Sequence, residues 1–295
     1  MLSKYLSDKY IARLDKFNLR ARLIVEGFII GLHKSPYHGF SVEFSDHRQY
    51  NPGDDIKNLD WKVYGRTGKY YIKRYEEETN LKSYIILDHS KSMGYKSGKI
   101  SKLEYSKALA SALSYLMISQ QDAVGLLSFT DHLTDYLPPR SMRTYLNLIH
   151  EKLYNLKPDD ETNTSKVLHN LAEKVRKRGL IILISDLLDD PDEILQGLMH
   201  FRHQKHEVIV FHLQDLYEST FPFKRETQFI DAETNEKVKV SPWQIKQDYL
   251  ESLERHRKYL KNKCYEYQIE FNSITTNTPF EESLLQYLIK RSKLY

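Results

Sequence analysis

From about residue 82 onward the chain alternates short, largely apolar runs with helix-like segments, and this alternation restricts the fold more than any other feature. Ser83 to Asp88, Val124 to Phe129, Leu180 to Ser185, Glu207 to Leu213 and Ile269 to Ile274 each have the length of a strand. Leu180 to Ser185 is so continuously apolar that it belongs at the centre of a sheet covered on both faces. The intervening stretches carry helix signals. Ser101-x-x-Glu104 is a capping box opening a helix through Ala108, Ala112, Leu113 and Leu116. A helix around Tyr145 to Leu153 is expected after a break at Pro138-Pro139, and another from about Ser165 to Arg178 with Gly179 as its C′ residue. Pro191 opens a further helix, a long one runs from about Trp243 to Lys263, and Phe280 to Lys293 closes the chain. Phe229 to Val240 reads as a small hairpin inserted near 225–241. The sum predicts an α/β, Rossmann-like fold: a mostly parallel central sheet with helices on both faces.

The first 80 residues follow another pattern. Two short amphipathic segments lead into a stretch punctuated by glycine and proline, with a turn signal at Asn51-Pro52-Gly53-Asp54-Asp55. Tyr70 to Tyr75 is expected to be a strand beyond a turn at Thr67-Gly68. The division is therefore 1–80 as an N-terminal extension, helical and then hairpin-like, and 81–295 as the α/β domain.

Charge and cysteine content exclude several function classes. The 44 basic and 40 acidic residues leave a net charge of only +4, too little for nucleic-acid binding. A single cysteine, Cys264, rules out an internal disulfide framework and fits a reducing compartment. Lys4, Asp8, Lys9, Arg13 and Asp15 leave no apolar core for a signal peptide. Leu23 to Leu32 is interrupted by Glu26 and too short to span a bilayer. A cytoplasmic protein without a membrane span is expected.

Chemistry concentrates where the first strand ends. Asp88-x-Ser90-x-Ser92 puts a carboxylate and two hydroxyls on the turn leaving Tyr84-Ile85-Ile86-Leu87, all hard oxygen donors of the kind Mg²⁺ or Mn²⁺ prefers. Ligands of open α/β sheets bind outside the carboxyl ends of the strands. Asp186 ends a later strand there, and Thr162 lies in the loop before the preceding helix. These five residues resemble the metal-ion-dependent adhesion site of von Willebrand factor type A domains. That resemblance implies a bound ion with one position open to an acidic side chain of another protein.

A second resemblance spans nearly the whole chain. Arg48-x-Tyr50-x-Pro52-Gly53-Asp54-Asp55-Ile56, then Leu59-Asp60-Trp61 and Arg66, is similar to the signature upstream of the type A region in bacterial DUF58 proteins. Gly27, Gly31, Ser35, Gly39 to Phe44, Arg178 to Asp190, His206-Glu207-Val208 and Phe221-Pro222-Phe223 match as well. The resemblance implies a metal-dependent protein-interaction module, not an enzyme, acting as adaptor or assembly factor with a MoxR-type AAA+ ATPase. Members often carry Gly-Gly before the threonine, whereas Asp160-Glu161 stand here, so Thr164 rivals Thr162 as ligand; position before the helix favours Thr162. Pro52 to Asp55 reads first as a turn and Trp61 as a core anchor. Arg48, Asp54, Asp55 and Arg66 are the alternative, a partner contact.

Competing motifs are weaker. Gly94-x-x-x-Gly98-Lys99 is one residue short of a phosphate-binding loop, with Ile100 where a Ser or Thr is needed. His200, His203 and His206 are spaced so that they drift around a helix, which suits helix-end histidines better than zinc ligands. A metal-dependent hydrolase using Asp88 and Asp186 is the alternative function, but a strand-end aspartate nucleophile needs an acid two residues on, where Ser90 stands.

Overall fold

The computed structural model describes residues 42–51, 59–77, 82–119, 121–159, 164–175, 177–230, 236–279 and 282–283. They fall into two compact units, one within residues 32–80 and the other within residues 81–295.

In the smaller unit, β1 (Val42–Gln49) pairs antiparallel with β2 (Tyr71–Glu77), with an irregularity between Phe44 and Asp46. Between them α1 (Trp61–Thr67) is capped by Asp60, whose Oδ1 accepts from the Lys62 and Val63 amides, and is stopped by Gly68 at φ 66°. Among the described residues of this unit Leu59 and Ile72 are buried and apolar, while Trp61 is 61% exposed. The expected core role of Trp61 is thus corrected: once Asp60 caps the helix, Trp61 takes its first position, on an exposed face. Asp54 and Asp55, and the two amphipathic segments before them, lie outside the described residues.

The larger unit is built on six strands: β3 (Lys82–Asp88), β4 (Ala123–Phe129), β5 (Leu133–Arg140), β6 (Leu180–Ser185), β7 (Glu207–Gln214) and β10 (Glu270–Thr275). Their order is β10-β7-β6-β3-β4-β5, parallel except for β4–β5. Residues of β4 and β6 are buried throughout, and those of β3 and β7 after their first residue, as strands covered on both faces must be. Helices α2 (Lys102–Ser119) and α3 (Arg143–Asn155) pack on each other, and α4 (Thr164–Lys174), α5 (Pro191–His203) and α7 (Pro242–Glu266) form a second group. Tyr84, Ile86, Ile181, Leu183, Val208 and Val210 of the sheet share one core with Leu168, Leu171, Leu198, Phe201 and Leu260 of that second group. A short helix α6 (Leu216–Thr220) and the hairpin β8 (Thr227–Ile230) with β9 (Lys237–Val240) complete the described elements.

Two expectations fail for physical reasons. Pro138 and Pro139 do not break the chain but lie inside β5, at the end of the sheet. Prolines are tolerated there because an outer strand needs no amide on its open side. The β4–β5 register slips beside Gly125, where an added Cβ would lie 2.7 Å from the Leu137 carbonyl oxygen. Helix α4 ends at Lys174, so Gly179 is not its C′ residue. A Cβ on Gly179 would meet the Lys82 carbonyl oxygen at 2.0 Å, so glycine is required where β6 enters the sheet beside β3. The closing helix expected at Phe280 to Lys293 lies outside the described residues, apart from Glu282 and Ser283.

The strand order reverses between β3 and β6. From β3 the chain crosses to β4 on one side, and from β6 to β7 on the other. The loops leaving these two central strands therefore part, opening a crevice at their carboxyl ends.

Candidate functional site

Asp88 is the last residue of β3 and Asp186 immediately follows β6; the two strands are neighbours, with Leu87 opposite Ile184. Both carboxylates are buried, at 0% and 3% exposure. Asp88 accepts from the Ser90 amide at Oδ1, 2.9 Å away, and from the Ser185 hydroxyl at Oδ2, 2.6 Å away, and the Ser90 hydroxyl bonds the carboxylate as well. The first bond closes the turn that starts a 3₁₀ turn at Lys91–Gly94, and it brings the hydroxyls of Ser90 and Ser92 within 3.0 Å of each other.

Burial, and then the neighbouring Asp186 charge, push the Asp88 carboxyl up to about 7, against the bonds from Ser185 and Ser90 that pull it down. Among the described residues no cation acts directly on this carboxylate. The donor set is oxygen only, with two acids and two hydroxyls at one sheet edge. It fits a hard divalent cation, which would neutralise the repulsion that the protein leaves standing. Among the described residues no group of three or more histidines, cysteines, aspartates or glutamates could hold a metal ion, so any such ion would rely on the hydroxyls.

Thr162 lies outside the described residues, and Thr164 is the first residue of α4. The loop that leads to them is anchored at the site: the Asp159 amide donates to the His89 carbonyl at 3.0 Å. The His89 ring bonds the Lys157 carbonyl at 2.9 Å and the Thr134 hydroxyl at 2.8 Å. A Cβ on Gly94 would meet the Pro158 ring at 2.9 Å, a second close approach of this loop to the 3₁₀ turn.

Three groups at this edge were not singled out in the sequence. Lys102, the first residue of α2, is fully buried; its ammonium donates to Asp186 Oδ2 at 2.8 Å and to Glu218 Oε1 at 2.6 Å. Burial works to lower its pKa, but the two carboxylates outweigh burial and raise it. Glu218 is fixed by a capping box of α6, its Oε2 accepting from the Asp215 amide at 2.8 Å. His212, buried on β7, is pulled down to about 4 by desolvation against the opposing Asp186 charge, and is therefore neutral. The signal for Lys102 was in the sequence. The capping box Ser101-x-x-Glu104, which forms with bonds of 2.8 and 3.1 Å, puts a cation at the positive end of a helix. Glu218 and His212 give no such local signal.

The rival motifs separate in space. His206 is buried and bonds the Gly179 amide and the Val175 carbonyl, whereas His200 faces His169 of α4, with 3.1 Å between their Nδ1 atoms. The loop containing Gly94 and Gly98 gives its Ser97 amide to the Asp215 carboxylate at 3.0 Å, an acid where a phosphate site would want none. Cys264 is buried in α7, and burial pushes its thiol up to about 12. Arg48 is half-buried on β1 and Arg66 exposed in the last turn of α1. Among the described residues no helix is long and apolar enough to cross a membrane.

Among sequence relatives, the chain is similar to an uncharacterised protein of Mycobacterium tuberculosis, 22% identical over 254 residues, or 84% of this chain and 79% of that one. Among solved structures it is similar to BatB from Bacteroides thetaiotaomicron, at 17% identity and a TM-score of 0.48, over 72% of this chain and 99% of that one. It is also similar to an aerotolerance-related membrane protein from Bacteroides fragilis, at 15% identity and 0.49, over 73% and 100%. A von Willebrand factor type A protein from Catenulispora acidiphila is similar at 10% identity and 0.43, over 75% and 44%. The profile of one family, described as a protein of unknown function, matches residues 46–259. With most of its length matched, the chain belongs to the DUF58 family.

Proposed function

We propose that this chain is a protein-interaction module whose binding edge is the crevice at the carboxyl ends of β3 and β6, and that a divalent cation, Mg²⁺ or Mn²⁺, mediates the contact. Asp88, Ser90, Ser92 and Asp186 would hold the ion. Thr162 would join them from a loop whose anchored residue, Asp159, is three positions away and within about 11 Å of chain reach. The observation that carries this reading is the pair of buried carboxylates on adjacent strand ends, one of them with no cation acting on it among the described residues, flanked by two hydroxyls. An ion with so few charged ligands keeps its electrophilicity and takes an acidic side chain from a partner. A MoxR-type AAA+ ATPase is the partner proposed, and Arg48, Asp54, Asp55 and Arg66 are a further partner contact in the alternative to a plain turn at Pro52 to Asp55.

The test is capture of the purified ATPase by this protein in Mg²⁺ and again in excess chelator. Recovery should fall at least tenfold in chelator, and Asp88→Ala should match the chelated wild type while keeping its circular dichroism spectrum. Equal recovery in both buffers would show that no metal mediates the contact. Turnover of generic phosphoesters, lost in Asp88→Ala, would favour hydrolysis instead.

A further inference from the structure

Lys102 is the least expected residue at this edge. The first position of a helix is where its dipole disfavours a cation, and full burial adds a desolvation cost. Both are offset by Asp186 at 2.8 Å and Glu218 at 2.6 Å, with the Tyr95 ring 6.0 Å from the ammonium as a weaker partner. Asp186 thus already has a cation on one oxygen, whereas the donors to Asp88 among the described residues are the Ser90 amide and the hydroxyls of Ser90 and Ser185.

We propose that Lys102 is a built-in competitor of the divalent ion: its ammonium shares Asp186 with the metal and sets how tightly this edge binds it. The inference rests on the reading of the edge as a divalent-cation site and adds its regulation. With all groups ionised, Asp88, Asp186 and Glu218 carry three negative charges and Lys102 one positive, so a divalent ion brings the cluster to neutrality. Removing the ammonium leaves one more negative charge to attract the metal. Removing the Glu218 carboxylate leaves one fewer, and it releases Lys102 to bind Asp186 alone. The two substitutions therefore act on metal affinity in opposite directions. A lysine that only fastened α2 to α6 would not produce that pattern.

The experiment is titration of the full chain with Mn²⁺, followed by electron paramagnetic resonance of the free ion, at low ionic strength. Lys102→Met should bind Mn²⁺ at least about tenfold more tightly, and Glu218→Gln at least about threefold more weakly, since a unit charge a few ångströms away in a buried site is worth that much or more. Affinities within twofold of wild type for both variants, or a loss in both, would overturn the proposal while leaving the metal site standing. If Lys102→Met does not fold, Glu218→Gln decides: weaker binding supports the competition, and equal or tighter binding refutes it. Should wild type bind no Mn²⁺ while Lys102→Met does, the lysine serves in place of the ion and metal-mediated contact fails for the native chain. No binding in wild type or in either variant would sink both readings.

Discussion

Asp88 is stable in this fold only to the extent that something answers its charge. Its carboxyl is raised from 3.8 to about 7 because it is buried and beside Asp186. In metal-free protein, ionising it costs more folded than unfolded, so its contribution is nil below pH 4 and grows unfavourable as pH rises toward 7. Above that it levels off, at roughly 4 kcal/mol for about three pKa units. Asp88→Asn should therefore be more stable than wild type above pH 7 in chelator, with the gap closing toward pH 4. The measurement is urea unfolding of both proteins across that range. Comparing them at each pH cancels His212, which acts in the opposite sense: it is neutral when folded, and its stabilisation is lost as pH falls from 6.5 toward about 4. A gap independent of pH would mean that Asp88 is not ionised with this difficulty.

Among the elements, α6 and the hairpin β8–β9 are the part least legible in the chain. The aromatic rings hold them together. Phe221, in the left-handed conformation at φ 44° after α6, is 4% exposed. Its ring centroid lies 5.1 Å from Phe223, 5.7 Å from Phe229 of β8 and 4.8 Å from Tyr249 of α7. Two four-residue strands with five of their eight residues exposed could not hold a hairpin by themselves; a shared aromatic core can. Phe221→Ala should cost about 3–5 kcal/mol in urea unfolding, the range for emptying a buried phenylalanine site. Because Glu218 sits one turn earlier in α6, the variant should also loosen the Lys102 contact. A cost below about 1 kcal/mol would show that the cluster packs too loosely to anchor the hairpin.

For the whole molecule, a ligand that binds only the folded state raises the melting temperature by mass action, by about 2.7 kcal/mol at a hundredfold excess over Kd. Mg²⁺ should therefore raise the thermal midpoint of wild type by several degrees and leave Asp88→Ala unmoved, as scanning calorimetry would record. Equal shifts in both would place the bound ion elsewhere.

The alternation of apolar runs, the capping box at Ser101 and Glu104 and the strand-end Asp88 were legible because they are local. Period, cap and turn are written within a few residues. The central position of β6 followed from its composition for the same reason. What the tertiary structure decided depends on partners distant in the chain. Gly179 is a glycine because of Lys82, and Pro138 and Pro139 are permitted because β5 lies at the end of the sheet. At the site, the type of donor was in the sequence, but the charge balance was not. Lys102, Asp186 and Glu218 are separated by 84 and 116 positions, and only strand order brings an ammonium between the two acids.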